Sequence, residues 1–208
     1  MIDLYDRFGS RFQCGRGFRM GTKRIYILLS DTGTWFTRMI RLYTKAEHNH
    51  ASIAFDEEFK EVYSFGRKHP GNPFVGGFVK EDLQSELFRK ASCALFSCEV
   101  SESEYSCLRA YVRQFEQNPH RYKYNLLGVI GIMLGIRIKR ENAYFCSQFV
   151  ATVFEQTGQS LVPKCASLTT PADLERSEAL ELLYRGELRR YLHHSSRGME
   201  RAGEAMCS

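Results

Sequence analysis

The chain has 208 residues, of which 43% are hydrophobic and 25% charged, and this composition is typical of a globular protein with one well-buried domain. Its net charge of +5 is mild and scattered, so the sequence predicts no nucleic-acid-binding surface. The seven cysteines include no C-x-x-C pair, which argues against a zinc ribbon or a disulfide framework and favours reduced thiols in a cytoplasm.

The two ends of the chain are predicted to be poorly ordered. Residues 1–21 form a flexible basic segment that is rich in glycine and lacks the apolar core of a signal peptide. Residues 193–208 are typical of a disordered tail. The most apolar run, residues 125–136, has only 12 residues and predicts a buried helix rather than a transmembrane segment. A single folded domain is therefore expected over residues 22–192.

Short apolar or alternating runs predict strands at residues 24–30, 50–56, 61–66 and 91–100. The second and third runs are close enough in the chain to form a hairpin. The stretch 72–78 contains Pro73, Gly76 and Gly77 and predicts a loop. Near the end of the domain, residues 179–192 predict two further strands around an Arg-Gly pair.

Helices are predicted between these strands. Apolar spacing favours a helix over about 34–42. Ser101, with Glu104 three residues later, has the capping-box pattern and predicts a helix that ends before a proline. Three more are expected: the apolar run, a helix from about residue 144 that stops at Gly158, and a short one that begins at Pro171. Strands and helices are mixed without regular alternation, so the predicted class is α+β.

Cys146 is the first candidate for chemistry. The stretch ENAYFCSQFVATVF places it in the first turn of an otherwise apolar helix. Exposed backbone N–H groups and the helix dipole stabilise a thiolate at that position, and the same N–H groups can hold an oxyanion. The alternative is a structural thiol in the core, since free cysteine is among the most buried residue types.

His50 is the candidate partner of this thiol. It begins a predicted strand and shares its face with the small residues Ser52 and Ala54, which leaves room in front of the ring. A neutral imidazole there can take the thiol proton and later protonate a leaving group. A metal site is the rival interpretation, because His48 and His50 are two residues apart and would share one strand face. No motif supplies a third ligand for it.

The segments NHASIAFD and, well downstream, YFCSQFVATVF resemble the circularly permuted NlpC-like branch of the papain-fold cysteine hydrolases. The pattern is most similar to the bacterial YiiX-like proteins, with lecithin retinol acyltransferase a more distant relative. In this branch the histidine strand precedes the cysteine helix, as His50 precedes Cys146 here. The resemblance covers about residues 24–190. It implies a permuted papain-like domain, with Cys146 as nucleophile and His50 as general base and acid.

The family commonly has a third polar residue that orients the imidazole. Pairing of the two hairpin strands is expected to place Ser64 or Phe65 opposite His50, and of these Ser64 is the polar one. Ser64 is therefore the predicted third site residue. A hydroxyl is a weaker orienting group than a carboxylate, so a non-catalytic binding domain with a degenerate site is kept as an alternative.

The predicted function is cysteine-dependent acyl chemistry that needs neither a cofactor nor a metal ion. An amide, ester or thioester of a small molecule or a peptide-like compound would be the substrate, with water, an amine or an alcohol as acyl acceptor. The apolar run at 125–136 offers contact with a lipid or an acyl chain. The less favoured alternative is a metal-dependent hydrolase that uses His48 and His50.

Overall fold

A computed structural model of the chain describes residues 21–31, 47–67, 76–133, 136, 138 and 140–194. The strands are β1 (Thr22–Asp31), β2 (His50–Ala54), β3 (Val62–Arg67), β4 (Gly76–Lys80), β5 (Ser92–Ser101), β6 (Lys123–Tyr124), β7 (Ala143–Tyr144) and β8 (Glu181–Glu187). Six of them form one sheet in the order β4-β3-β2-β1-β5-β8, and each neighbouring pair in it is antiparallel. β6 and β7 form a separate parallel pair.

The helices are α1 (Glu102–Gln117), α2 (Leu126–Met133), α3 (Cys146–Glu155) and α4 (Pro171–Glu175), and a last helical segment covers residues 188–194. An antiparallel sheet combined with helices confirms the predicted α+β class. Among the helices in the described ranges, none combines the length and the apolar character that a membrane span requires.

The central strands of the sheet are buried on both faces. Ile25, Ile27 and Leu29 of β1 point to one side, where they join the core formed with α1 and α3, whereas Tyr26 and Leu28 point to the other. On the α3 side, aromatic rings pack against one another: Phe149 is fully buried, and its ring centroid lies 5.1 Å from that of Phe65, in a tilted arrangement, and 5.3 Å from that of Phe115, edge to face. Burial of each such side chain stabilises the fold by about 1.5–3 kcal/mol. This packing fixes the position of α3 against the central strands.

Local signals predicted several elements correctly. β1, β2, β3 and β5 lie where apolar or alternating runs indicated strands, and β2 and β3 form the expected hairpin. At the start of α1 the Ser101 hydroxyl accepts from the Glu104 N–H at 3.3 Å, while the Glu104 carboxylate accepts from the Ser101 N–H at 2.7 Å. Gly158, just after α3, has φ +72, the left-handed conformation that ends helices.

Two predicted elements were wrong. Residues 76–78 belong to β4 rather than to a loop, and β4 is an edge strand of the sheet. The two strands predicted over 179–192 are one strand, β8, followed by the helical segment, because Leu188 turns into the core against Tyr191 and Leu192. That segment also includes residues 193 and 194, which were assigned to the tail.

Other predictions lie outside the described residues. These are the helix at 34–42, the flexible segment 1–21 except its last residue, and the tail from residue 195 onward.

The apolar helix α2 is present, but it is not buried all round. Leu127 is 49% exposed and Ile130 is 42% exposed.

Candidate active site

Cys146 is the first residue of α3 and therefore lies in the first turn of the helix, as the sequence predicted. Phe145 precedes it in an extended conformation, and the first intrahelical bond runs from the Phe149 N–H to the Phe145 carbonyl at 2.9 Å. The backbone N–H groups of the first turn before Phe149 therefore have no acceptor within the helix. Phe145 N–H donates to Gln148 Oε1 at 3.4 Å, and Ser147 Oγ donates to the Thr169 carbonyl at 2.7 Å. These bonds anchor the helix start that carries the thiol.

The thiol lies against the start of β2. Cys146 is 6% exposed, and its Sγ is 4.0 Å from the carbonyl oxygen of Asn49. The N–H of Ala51 also interacts with the sulfur. The structure thus brings together Cys146 and the first residues of the histidine strand, which are nearly a hundred positions apart in the chain.

The imidazole of His50 is held by a carboxylate that the sequence analysis did not identify. His50 Nε2 lies 2.7 Å from Glu81 Oε1. Glu81 directly follows β4, and its side chain is 7% exposed against 17% for His50. Because Nε2 is engaged with Glu81, Nδ1 is the ring nitrogen left to interact with the Cys146 thiol.

Ser64 is part of this arrangement, but its partner differs from the predicted one. Ser64 Oγ donates to Glu81 Oε1 at 2.6 Å, and Ser52 Oγ donates to Glu81 Oε2 at 2.6 Å. The carboxylate therefore accepts two hydroxyl bonds as well as the imidazole bond. Ser64 acts on His50 through Glu81 rather than as its direct neighbour.

The register of the hairpin explains the difference. β2 and β3 pair with Ile53 opposite Tyr63 and Ala54 opposite Val62, and continuing that register places Gly66, not Ser64 or Phe65, opposite His50. A Cβ on Gly66 would lie 3.7 Å from His50 Cε1. A side chain at this position would therefore meet the ring only at ordinary van der Waals distance.

The electrostatics of the site favour a charged pair. Burial alone would lower the pKa of His50, but the Glu81 carboxylate and the hydrogen bond to Cys146 outweigh it and raise the pKa to about 10. Burial would raise the pKa of Cys146, yet the hydrogen bond and charge of His50, with the N–H groups of Ala51 and Ser147, lower it. The arrangement therefore stabilises a thiolate beside an imidazolium.

Glu81 is the counter-ion of that imidazolium. Burial would raise the pKa of its carboxyl group, whereas the charge of His50 and the bonds from His50 and the two serines hold the pKa below its usual value. A carboxylate that accepts three hydrogen bonds cannot rotate freely. It therefore fixes both the tautomer and the orientation of the ring.

His48 is separated from this group. It precedes β2, so the prediction that His48 and His50 share a strand face was wrong. The Nδ1 of His48 instead faces Glu175 Oε2 at 3.6 Å. Between the two histidines, Asn49 is 7% exposed, and neither polar atom of its side chain has a hydrogen-bond partner in the described part of the chain.

A hollow of about 450 Å³ lies beside the Glu81 segment and is lined by residues that include Lys60, Lys80 and Leu83. Glu81 contributes to its wall, but Cys146 and His50 do not. The thiol and imidazole, not this hollow, carry the chemistry of the candidate site.

The comparisons with known proteins add no relative. A scan against protein-family models found no matching family, and a search of curated proteins found no match either. The functional conclusion therefore depends on the geometry of Cys146, His50 and Glu81.

Proposed function

We propose that the chain is a cysteine-dependent hydrolase or acyltransferase with Cys146 as nucleophile, His50 as general base and acid, and Glu81 as the residue that orients His50. The observation that carries the proposal is the 2.7 Å contact between His50 Nε2 and Glu81 Oε1 beside a thiol at a helix start. A nucleophile, a base next to it and a third group that orients the base form the arrangement used in covalent acyl chemistry.

The reaction follows from these positions. His50 takes the proton of the Cys146 thiol, and the thiolate attacks the carbonyl carbon of an amide, ester or thioester. The oxyanion is stabilised by free N–H groups of the first turn of α3. His50 then protonates the leaving group, which departs and leaves an acyl group on Cys146. Water, an amine or an alcohol then loses a proton to His50 and attacks the acyl carbon. The carbon–sulfur bond breaks, the acyl product leaves, and His50 returns its proton to the Cys146 sulfur, which restores the thiol.

We further propose that the domain is a circularly permuted papain-like fold. Three features support it: the histidine strand precedes the cysteine helix in the chain, the helix packs on the antiparallel sheet, and the orienting carboxylate comes from a neighbouring part of that sheet. The proposal of a degenerate, non-catalytic domain depended on the lack of a strong orienting group near His50. Glu81 supplies such a group, so that reason for the alternative no longer holds.

An apolar acyl group is the substrate feature that the surface supports best. The exposed side chains Leu127 and Ile130 belong to α2. This helix begins directly after Asn125, whose N–H donates to the Tyr144 carbonyl at 2.8 Å, two residues before Cys146. Contact with a lipid or a long acyl chain would cover these side chains, since burial of apolar area is favourable by about 25 cal/mol per Å².

Trapping of an acyl-enzyme tests the function. The chain is mixed with p-nitrophenyl esters of short and long acyl chains, quenched in acid and digested, and the Cys146 peptide is weighed by mass spectrometry. The expected result is a burst of p-nitrophenol and one acyl group on Cys146. Cys146→Ala should show neither. A chain that forms no acyl adduct with any of these esters, while the same preparation is folded, would support the binding-domain alternative.

The chain-length preference is tested with a matched pair of substitutions. Ile130→Ser should slow acylation by the long ester more than by the short one. Leu182→Ser is the control, because Leu182 is 48% exposed on β8 and has no part in the candidate site. Equal effects of the two substitutions on the long ester would remove α2 from the proposal.

A further inference from the structure

A second group of chemically active side chains lies apart from the candidate active site. Glu47 and His48, just before β2, meet Glu175 at the end of α4, and one ligand-type atom from each lies within 4.8 Å of the others. His48 Nδ1 is 3.6 Å from Glu175 Oε2. His50 is not a member of this group, because its Nε2 is engaged with Glu81.

The environment of the His48 ring supports a ligand site independently of the clustering of the three side chains. Its side chain is 1% exposed, and Nδ1 has no hydrogen-bond partner within the described ranges. The 3.6 Å separation from Glu175 is too long for a hydrogen bond. A buried polar atom without a partner is destabilising and therefore calls for an explanation. A ligand that accepts the Nδ1 lone pair would provide it.

Arg185 shows that the two carboxylates already attract a positive charge. Its Nη1 lies 2.7 Å from Glu175 Oε1 and 3.1 Å from Glu47 Oε2. Its side chain is 41% exposed and can move into solvent. The guanidinium contacts the carboxylates but leaves His48 Nδ1 without a partner. A metal ion would contact all three groups at once.

The donor set selects the type of ion. One imidazole nitrogen with two carboxylate oxygens suits Zn²⁺, which binds such donors at about 2.0–2.2 Å. Ca²⁺ and Mg²⁺ prefer oxygen ligands alone. Zn²⁺ also lies near the top of the affinity order of divalent metals for nitrogen-containing sites.

We propose that Glu47, His48 and Glu175 form a Zn²⁺ site in which the ion replaces the Arg185 guanidinium. The bound ion would tie the segment before β2 to α4, two parts of the chain that are more than a hundred residues apart. It would thereby fix the start of β2, which begins with His50. The Zn²⁺ site does not depend on the proposed acyl chemistry, since it uses neither Cys146 nor His50 nor Glu81.

The test uses the full chain with Cys146→Ala, so that the thiol of the candidate active site cannot supply a zinc ligand. ZnCl₂ is titrated by calorimetry, and the melting temperature is followed with Zn²⁺ and, separately, with Mg²⁺. Saturable binding of one ion is expected, with a rise in melting temperature of several degrees when Zn²⁺ is in hundredfold excess over its Kd. Mg²⁺ should give no comparable rise. No saturable Zn²⁺ binding would overturn the proposal.

Substitutions in the same background locate the site. Glu47→Gln changes a side chain that is 60% exposed and is expected to fold normally, and both it and Glu175→Gln should weaken Zn²⁺ binding at least tenfold. Arg185→Gln removes the competing cation and should tighten binding. Glu187→Gln is the matched control, because Glu187 is 67% exposed and pairs with Arg190 instead. Unchanged affinity in the Glu47 and Glu175 variants, or weaker binding in Arg185→Gln, would contradict the assignment.

Discussion

Removal of the negative charge of Glu81 tests how the carboxylate controls the reactivity of the Cys146 thiol. In Glu81→Gln the amide oxygen can still accept from His50 and from Ser64, and the amide nitrogen can donate to the Ser52 hydroxyl, so the geometry of the three bonds is retained. The substitution therefore removes the negative charge without emptying the space. Any change in the behaviour of the thiol then reports the electrostatic role of the carboxylate.

The size of the effect follows from the contact. Two unit charges about 4 Å apart interact by about 4 kcal/mol at an effective dielectric constant of about 20. A neighbouring opposite charge commonly shifts a pKa by about 1–3 units, and each unit corresponds to about 1.4 kcal/mol. Without Glu81 the pKa of His50 should fall from about 10 by this amount, and the Cys146 thiolate loses a stable imidazolium partner. The pKa of the thiol should therefore rise.

Alkylation by iodoacetamide as a function of pH measures this change. At pH 6 the labelling rate of Cys146 in Glu81→Gln should be lower than in the unaltered chain by about tenfold or more, since each unit of thiol pKa changes the thiolate fraction tenfold. Asp82→Asn is the control: it removes a charge from the adjacent residue, which is exposed and whose Oδ1 accepts from the Gln84 N–H. Identical pH profiles for Glu81→Gln and the unaltered chain would refute the electrostatic role of Glu81.

Three further predictions concern this carboxylate and its neighbours. His50→Ala should raise the apparent pKa of the Cys146 thiol toward the value of about 8.5 of a free cysteine, whereas His48→Ala should leave it nearly unchanged; equal shifts would indicate that both histidines act on the thiol. Ser64→Ala and Ser52→Ala should each lower the labelling rate of Cys146 at pH 6 by about three- to tenfold, because each removes a hydrogen bond that orients Glu81. An effect as large as that of His50→Ala would mean that the serine acts directly on the thiol. The pKa of Glu81 is lower in the folded than in the unfolded chain, so the stabilisation it provides is present above pH 4.5, its usual pKa, and is lost as the pH falls through the lowered value. Urea unfolding from pH 7 down to about pH 3 should therefore show a stability difference between the unaltered chain and Glu81→Gln that shrinks in acid, and a difference that grows in acid would contradict the sign of the shift.

Sequence patterns predicted those parts of the fold that depend on local signals. The alternating residues of β2, the capping box at Ser101 and the proline that begins α4 each act within a few positions, and each element lies where it was expected. Cys146 at the start of α3 and His50 at the start of β2 were found in the same way. Their proximity was inferred from a family resemblance, since no local signal encodes a contact between them.

Glu81 was missed because the strand before it was missed. Gly76 and Gly77 indicate a loop, yet β4 needs a residue without a side chain at Gly76: a Cβ there would lie 2.6 Å from the Gly66 carbonyl oxygen and 2.8 Å from Tyr124 Cβ. The two β-forming residues Phe78 and Val79, shortly before a carboxylate, were the available signal. The hairpin register was also misjudged, because it depends on the geometry of the turn between β2 and β3 as well as on the pattern of the strand residues.

The error at the end of the domain has a similar cause. Gly186 interrupts an apolar pattern and suggested a turn between two strands, but in β8 it has φ +154 and lies under the ring of Tyr184. The residues after it leave the sheet as a helical segment because Leu188 is buried. Tertiary packing decided this region, and the sequence near it is compatible with either outcome.

The identity of the first thiol to react tests the central proposal most directly. The chain is exposed briefly to limiting iodoacetamide at pH 6, digested and mapped by mass spectrometry. Cys165 is exposed and is the natural competitor, whereas Cys146 is buried but has a lowered pKa through His50 and the N–H groups beside it. If Cys146 is the nucleophile of a thiolate–imidazolium pair, its peptide carries the label first. If Cys165 or any other cysteine is labelled before Cys146 at this pH, Cys146 is a structural thiol and the proposed function is wrong.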